Sequence, residues 1–424
     1  MVIHVVKPGD SIYSIARMYN VSPAKIIRDN ELTNPNNLVV GQTIVVLDDN
    51  KRHVIKLGES LYMIARKYGV SIDDILSLNP EIKSQSLIYP GQVIRIPTKK
   101  HGTIEVNGYV LPNIDMAVLK KTLPHLTYIA IFSYEVQPDG SLKGINDEEI
   151  IKAAKEERVA PLMVITNLDE SGGFSSDLAR TILSNEDVQE NLLNNIVSTL
   201  DSKGYSGLDI DFEFVYPEDR EKYNNFLIKT VNKLRPLGYS VTTALAPKLS
   251  GDQKGLLYEA HDYPVHGKYA DHVVPMTYEW GYTYSEPMAV APVNEVRRVI
   301  DYAASVIPPE KILMGIPNYG YDWMLPYEQG RPARAISNTE AVDIARRNNA
   351  AIKYNERSQS PYFNYYDSDR QLHEVWFEDA RSILAKMQVV KDYNLGGVSY
   401  WTLARYFPQN WLVLENLYDV RKVL

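Results

Sequence analysis

The chain has 424 residues, with 45 Lys and Arg against 53 Asp and Glu and a formal net charge of −8 at pH 7. Its basic residues form no long blocks, so neither nucleic acid nor an anionic membrane surface is an expected partner. Cysteine is absent, which removes disulfides, thiolate nucleophiles and cysteine-based metal sites together.

The first element, in "MVIHVVKPGD", reads as a strand. It lacks a basic n-region and a long apolar h-region, so no cleavable secretory signal is expected. No run of 18 apolar residues follows anywhere, so no membrane-spanning helix is expected. The first 97 residues repeat themselves. "HVVKPGDSIYSIARMYNVSPAKIIRDN" from His4 aligns with "HVIKLGESLYMIARKYGVSIDDILSLN" from His53, and "VVGQTIVVL" aligns with "YPGQVIRIP". Such self-similarity marks two copies of one supersecondary unit. In the first copy a short strand ends at Gly9. A helix follows, with Ser11 as N-cap and Ile12, Ile15, Ala16 and Tyr19 on one face. A second helix has Ser22 as N-cap and Pro23 in its first turn, and "QTIVVL" closes as a strand. The unit is strand–helix–helix–strand.

Both copies, residues 1–48 and 52–98, resemble LysM modules through the pattern "GDS…IA…Y.VS…I…N…L..GQ.I.V". The resemblance implies binding of N-acetylglucosamine polymers such as peptidoglycan or chitin. It places the glycan between the strand–helix loop and the loop before the last strand. Those are Gly9, Asp10, Ser11 and Ile12 with Asn34–Val39 in the first copy, and Gly58, Glu59, Ser60 and Leu61 with Asn79–Ile88 in the second. Tandem copies suit a polymer, because the second contact becomes intramolecular.

Polar linkers are expected at 48–52 and 98–102. From Thr103 to Leu424 strands and helices alternate. Strands are predicted at 104–111, 126–134, 160–168, 206–215, 240–248, 270–280, 311–320 and 395–403. The amphipathic helices between them include "EDVQENLLNNIVSTLDSKG", with Gly204 as its stop, and "REKYNNFLIKTVNKL". Eight such units point to an α/β fold, a (β/α)8 barrel, with a doubly wound sheet as the second architecture. Residues 321–394 break the rhythm. They hold a helix near 338–349 and the hairpin-like "PYFNYYDSDRQLHEVWF", and read as a small α+β insertion between strands seven and eight. Within it, His373-Glu374 resembles the start of a zinc-binding helix. Phe377 stands where the second His would be needed, so no metal and no cofactor are expected.

The fourth predicted strand holds "GLDIDFEF". At period two, Asp209, Asp211 and Glu213 share one face, and Leu208, Ile210 and Phe212 the other. In a barrel the apolar face meets the helices, so the acids face inward, with Glu213 nearest the C-terminal end where barrel chemistry sits. Three acids in one low-dielectric interior cannot all ionise cheaply, so at least one stays protonated and can donate. The 30 Tyr against 8 Phe fit an amphipathic ligand that both stacks and hydrogen-bonds.

"SGLDIDFE" resembles the D-G-x-D-x-D-x-E signature of family 18 glycoside hydrolases, with Ser206 in place of the first Asp. "MTYEW" at 276–280 resembles the family's M-x-Y-D, with Glu279 for Asp. The run into strand eight ends in the family's tryptophan, here Trp401. The resemblance covers about 104–412. It implies a retaining, substrate-assisted reaction in which the sugar's own 2-acetamido group attacks C1. Glu213 would be the acid/base and Asp211 would hold the acetamido N–H. Asp209 would share a proton with Asp211, and Tyr278 would hold the acetamido oxygen. Trp401 would floor the −1 sugar. Met276, Glu279, Asn167 and Tyr109 are further contact candidates. LysM modules before such a barrel resemble the spore peptidoglycan hydrolases of spore-forming bacilli. That arrangement implies N-acetylglucosaminidase action on cortex, spore association and use in germination; a monomer is expected. A chitinase and a catalytically dead lectin are the alternatives.

Overall fold

The computed structural model describes residues 1–47, 52–97 and 100–424. Residues 48–51 and 98–99 of the expected linkers lie outside the described ones. The chain divides into two compact units. One holds Met1–Gly102 with Pro408–Asp419, and the other holds Thr103–Phe407 with Val420–Leu424.

In the first unit each repeat is a two-stranded antiparallel sheet with two helices. Val2–Val5 pairs with Thr43–Val46 around helices Ile12–Tyr19 and Pro23–Asp29. Arg52–Val54 pairs with Val93–Arg95 around Leu61–Tyr68 and Ile72–Leu78. The predicted caps form: Ser11 accepts from Ser14 N and Ser22 from Lys25 N. Each repeat has its own small core, Ile12, Ile15, Ile26 and Ile44 in one and Leu61, Ile64, Ile75 and Ile94 in the other. Helix Pro408–Leu417, expected with the barrel, groups instead with the repeats. Its Gln409 Nε2 donates to Thr43 O at 2.7 Å, and Thr43 Oγ1 donates to Gln409 Oε1 at 2.7 Å.

The second unit is the α/β barrel. Its strands are Thr103–Val110 (β1), Tyr128–Val136 (β2), Ala160–Thr166 (β3), Gly207–Asp211 (β4), Ser240–Leu245 (β5), His272–Pro275 (β6), Leu313–Pro317 (β7) and Gly397–Trp401 (β8). They neighbour one another in the order β6-β5-β4-β3-β2-β1-β8-β7, all parallel. A bridge between Val273 and Ile312 brings β6 beside the start of β7 and nearly closes the ring.

Several predicted strands overrun the observed ones, 240–248 among them, whose pairing ends at Leu245. Sheet pairing stops at Asp211, Pro275 and Pro317. The apolar alternation continues past those points because several of the following residues, Phe212, Val215, Tyr278 and Tyr319 among them, stay buried. Period alone does not mark where hydrogen bonding ends. The insertion starts at Gly320 and is a five-stranded antiparallel sheet with helix Asn338–Arg347. It contains the expected hairpin, Ser360–Tyr366 against Leu372–Trp376, and Ala380–Tyr393 is the helix that leads into β8.

On β4 the two faces separate as alternation requires. Asp209 lies level with Val164 of β3 and Thr242 of β5, in a barrel interior otherwise filled by Tyr109, Leu162, Val164, Val274 and Leu313. Phe212 faces outward. It stacks on Phe226 at 5.9 Å and 6° and on Tyr223 at 5.9 Å and 20°, both from helix Arg220–Leu234. Burying such a ring contributes about 1.5–3 kcal/mol, enough to hold the register that points the aspartates inward.

Candidate active site

A cavity of about 260 Å³ opens at the C-terminal ends of the strands. Tyr109 of β1, Asp211 at the end of β4, Glu213 two residues beyond, Met276, Tyr278 and Glu279 after β6, and Trp401 at the end of β8 all line it. Residues more than 290 positions apart in the chain meet here because each closes or follows a parallel strand, and all eight strands end at the same rim.

Asp209 lies below the cavity, fully buried. Tyr109 Oη donates to its Oδ2 at 2.6 Å, while Asp209 Oδ1 and Asp211 Oδ1 are buried with no hydrogen-bond partner among the described residues. Asn167 does not line the cavity, contrary to its expected role as a contact. It is fully buried, and its amide is spent on the backbone of Glu213, accepting from the N–H at 3.0 Å and donating to the carbonyl at 2.8 Å. Trp401 stands between two rings set edge-on to it, Tyr109 at 5.6 Å and 62° and Phe132 at 5.0 Å and 76°. Tyr278 is held against β7 at Gly315, where an added Cβ would lie 2.8 Å from the Tyr278 ring and 2.7 Å from Pro275 O. Only glycine leaves that space.

The electrostatics are those of buried, mutually repelling acids. Burial pushes Asp209 up to about 6, opposed only by the Tyr109 hydrogen bond. Asp211 is raised well above the usual carboxylate range, by burial first and then by the charges of Glu213 and Asp209. Glu213 is pushed up to about 7, by burial and then by the charge of Glu279. Burial also raises Glu279, against hydrogen bonds from Tyr319 and Tyr321; Tyr319 Oη donates to Glu279 Oε1, and Tyr321 Oη donates to the same oxygen at 3.1 Å. Burial and the surrounding carboxylates push the Tyr278 and Tyr109 hydroxyls well above their ordinary range. Among the described residues, no Lys, Arg or His lines the cavity. Burial and mutual repulsion therefore favour the protonated form of these acids to higher pH.

Sequence reasoning missed Phe132, Phe174, Ala244, Pro247, Leu257 and Tyr258, which complete the lining. Phe132 and Ala244 sit on strands whose inward face was legible. Phe174, Leu257 and Tyr258 lie on loops that fold back over the mouth, and no local pattern marks them.

The residues expected in the two repeats divide differently. Gly9, Ser11, Gly58 and Ser60 are exposed. Ile12, Leu61 and Asn79 are buried, the first two in the module cores and Asn79 in bonds to Ile75 O and to both backbone groups of Arg95. Asp10 and Glu59 are also engaged internally. Asp10 Oδ2 accepts from Lys7 N at 2.7 Å and meets His4 Nε2 at 2.9 Å. Glu59 Oε2 accepts from Lys56 N at 2.8 Å and meets His53 Nε2 at 2.6 Å. The reasons differ: Ile12, Leu61 and Asn79 are taken up by the module interior, and Asp10 and Glu59, nearer the surface, are already engaged by the module's own backbone N–H groups.

A barrel with an acid-lined mouth of this kind defines a glycosidase, and comparison with known families agrees. The family "Glycosyl hydrolases family 18" matches residues 106–405, and the chain belongs to it. "LysM domain" matches residues 4–47 and 53–97. Among particular proteins, the chain is 45% identical over 430 residues to the cortical fragment-lytic enzyme of Bacillus subtilis, covering 100% of this chain and 99% of that one. It is also similar to the crystal structure of the Bacillus megaterium QM B1551 spore cortex-lytic enzyme SleL. That match has a TM-score of 0.88 and 44% identity, and covers 100% and 99% of the two chains. The Bacillus cereus spore cortex-lytic enzyme SleL matches with a TM-score of 0.86 and 40% identity, covering 99% of each chain.

Proposed function

We propose that this glycosidase cleaves β-1,4 bonds after N-acetylglucosamine in spore cortex peptidoglycan, by retaining, substrate-assisted catalysis. The full-length similarity to enzymes named for the cortex supports the substrate. The observation that supports the chemistry is the convergence of Glu213, Asp211, Tyr278 and Trp401 on one cavity above Asp209.

Glu213, protonated near neutrality, gives its proton to the glycosidic oxygen and later takes one from the incoming water. The carbonyl oxygen of the substrate's own 2-acetamido group attacks C1. Asp211 accepts the acetamido N–H with its unpartnered Oδ1 and stabilises the positive charge of the resulting oxazolinium. Asp209, held by Tyr109, tunes Asp211. Tyr278 donates to the acetamido oxygen, and Trp401 offers a flat apolar plate to the ring's C–H face. The sugar at −1 must carry a free 2-acetamido group, so a muramic lactam cannot occupy that position. The two LysM modules hold the same polymer and raise the local concentration of bonds for the barrel. The site of action is the spore.

The test incubates the protein and its Glu213→Gln variant with cortex fragments and with chitin oligomers, and identifies the new reducing ends. N-acetylglucosamine reducing ends from cortex, made by the wild type alone, are expected. Release from chitin only would replace the cortex reading with a chitinase. No turnover on either substrate would leave a lectin.

A further inference from the structure

Pairing of β4 ends at Asp211, so the backbone that carries Glu213 has no ladder to hold it. Side chains do so instead, at three successive carbonyls. His261 Nε2 donates to Phe212 O at 2.9 Å, Asn167 Nδ2 donates to Glu213 O at 2.8 Å, and Ser176 Oγ donates to Phe214 O at 2.5 Å. Asn167 Oδ1 takes the Glu213 N–H as well. The three residues come from both sides of β4. Asn167 follows β3, Ser176 opens helix Ser176–Ser184, and His261 lies in the loop after β5. Phe214 has φ +53°, a left-handed conformation unfavourable for an L side chain, so the chain holds this turn against its local preference.

The tautomer of His261 follows from its partners. Nδ1 accepts from Ala246 N at 2.7 Å, which puts the proton on Nε2, facing Phe212 O. Burial keeps the ring neutral, its pKa pushed down to about 4. A glutamate has several rotatable bonds, so its carboxyl is placed only as well as its backbone is placed, and proton transfer is sensitive to errors near 1 Å.

We propose that Asn167, His261 and Ser176 are positioning residues that clamp the exit of β4 and so hold the half-buried Glu213 carboxyl at the cavity it lines with Asp211 and Glu279. They act through the backbone and touch no substrate. The proposal rests on the reading of Glu213 as proton donor.

The test uses the full chain and measures kcat, KM and the pH profile of reducing-end release from solubilised cortex fragments, with folding checked by circular dichroism and thermal melting. Ser176→Ala and His261→Asn each remove one donor. Ser176→Thr and His261→Gln restore a donor at the same reach. In the removing variants kcat is expected to fall about 10- to 100-fold, with KM within about twofold. The alkaline limb should move to lower pH, because a loosened Glu213 reaches water and loses its proton more readily. The restoring variants should recover both. Folded Ala and Asn variants with wild-type kcat, or with lowered kcat and an unmoved alkaline limb, would overturn the clamp. Asn167→Ala is the most severe variant; should it fail to fold, the half-buried Ser176 carries the test. Glu213→Gln in the same assay separates the two readings. If it turns over like the wild type, the acid assignment fails. If it is inactive while the clamp variants behave as wild type, only the clamp fails.

Discussion

Carboxylates occupy two contrasting settings in this chain. In each LysM module one acid, Asp10 or Glu59, sits near the surface under a backbone N–H and a histidine. There the Lys7 or Lys56 N–H and then the histidine hold its pKa below the ordinary range. In the barrel, Asp209, Asp211 and Glu213 face an interior that removes water and supplies few donors, and all three are raised. The same functional group is held ionised where donors outnumber charges and keeps its proton to higher pH where charges outnumber donors. The tie holds even across the repeat, where Glu59 replaces Asp10 and the longer side chain still meets its histidine.

The largest expected effect on this contrast is Glu213→Gln, which removes the transferable proton while keeping the shape. Turnover should fall about 10²- to 10⁴-fold, measured as initial rates on cortex fragments. Gly315→Ala should come next. Its methyl group meets the Tyr278 ring and the Pro275 carbonyl, so the tyrosine is displaced and kcat should fall about 10²-fold in a protein whose melting remains cooperative. Glu279→Gln removes the negative charge that helps raise Glu213, so the alkaline limb of kcat/KM, expected near the Glu213 value of about 7, should move to lower pH.

Stability should respond in the opposite sense at the two addresses. A buried acid whose folded pKa is raised contributes stability below its unfolded pKa and loses it as pH rises through the folded value. For Asp209 that window runs from 3.8 to about 6. Asp209→Asn should therefore be more stable than the wild type at pH 8, by on the order of 1–3 kcal/mol, in urea unfolding. An acid with a depressed pKa behaves inversely: its contribution is present above the unfolded value and is lost as pH falls through the folded one. The smallest effect is expected there. His53→Phe removes the partner of Glu59 and should lower the thermal stability of its module slightly, leaving kcat on soluble fragments unchanged. A His53→Phe protein with altered kcat would erase the distinction between staple and catalyst.

Much of this was legible in the chain. Alternation put Asp209 and Asp211 on one face and Phe212 on the other. The repeat was visible residue by residue down to its serine caps, because caps and core positions are local and recur at fixed spacing. The role of Asn167 was not legible, since an asparagine that contacts sugar and one that clamps a backbone look alike in one dimension. Nor were Tyr319 and Tyr321 readable as partners of Glu279, because the strand that carries Tyr321 belongs to the insertion, and its direction depends on sheet pairing far along the chain.

The sequence by itself determined the element order, the inward face of the acid strand and the two-copy N-terminal unit, since these follow from periodicity, caps and local hydrogen bonding. Tertiary structure alone decided where each strand stops, which loops roof the cavity, and which polar groups are already spent. It also decided that three acids repel one another in a dry interior while two others stay ionised under backbone donors near the surface. Burial and partner count are properties of packed neighbours, and only the folded chain brings those neighbours together.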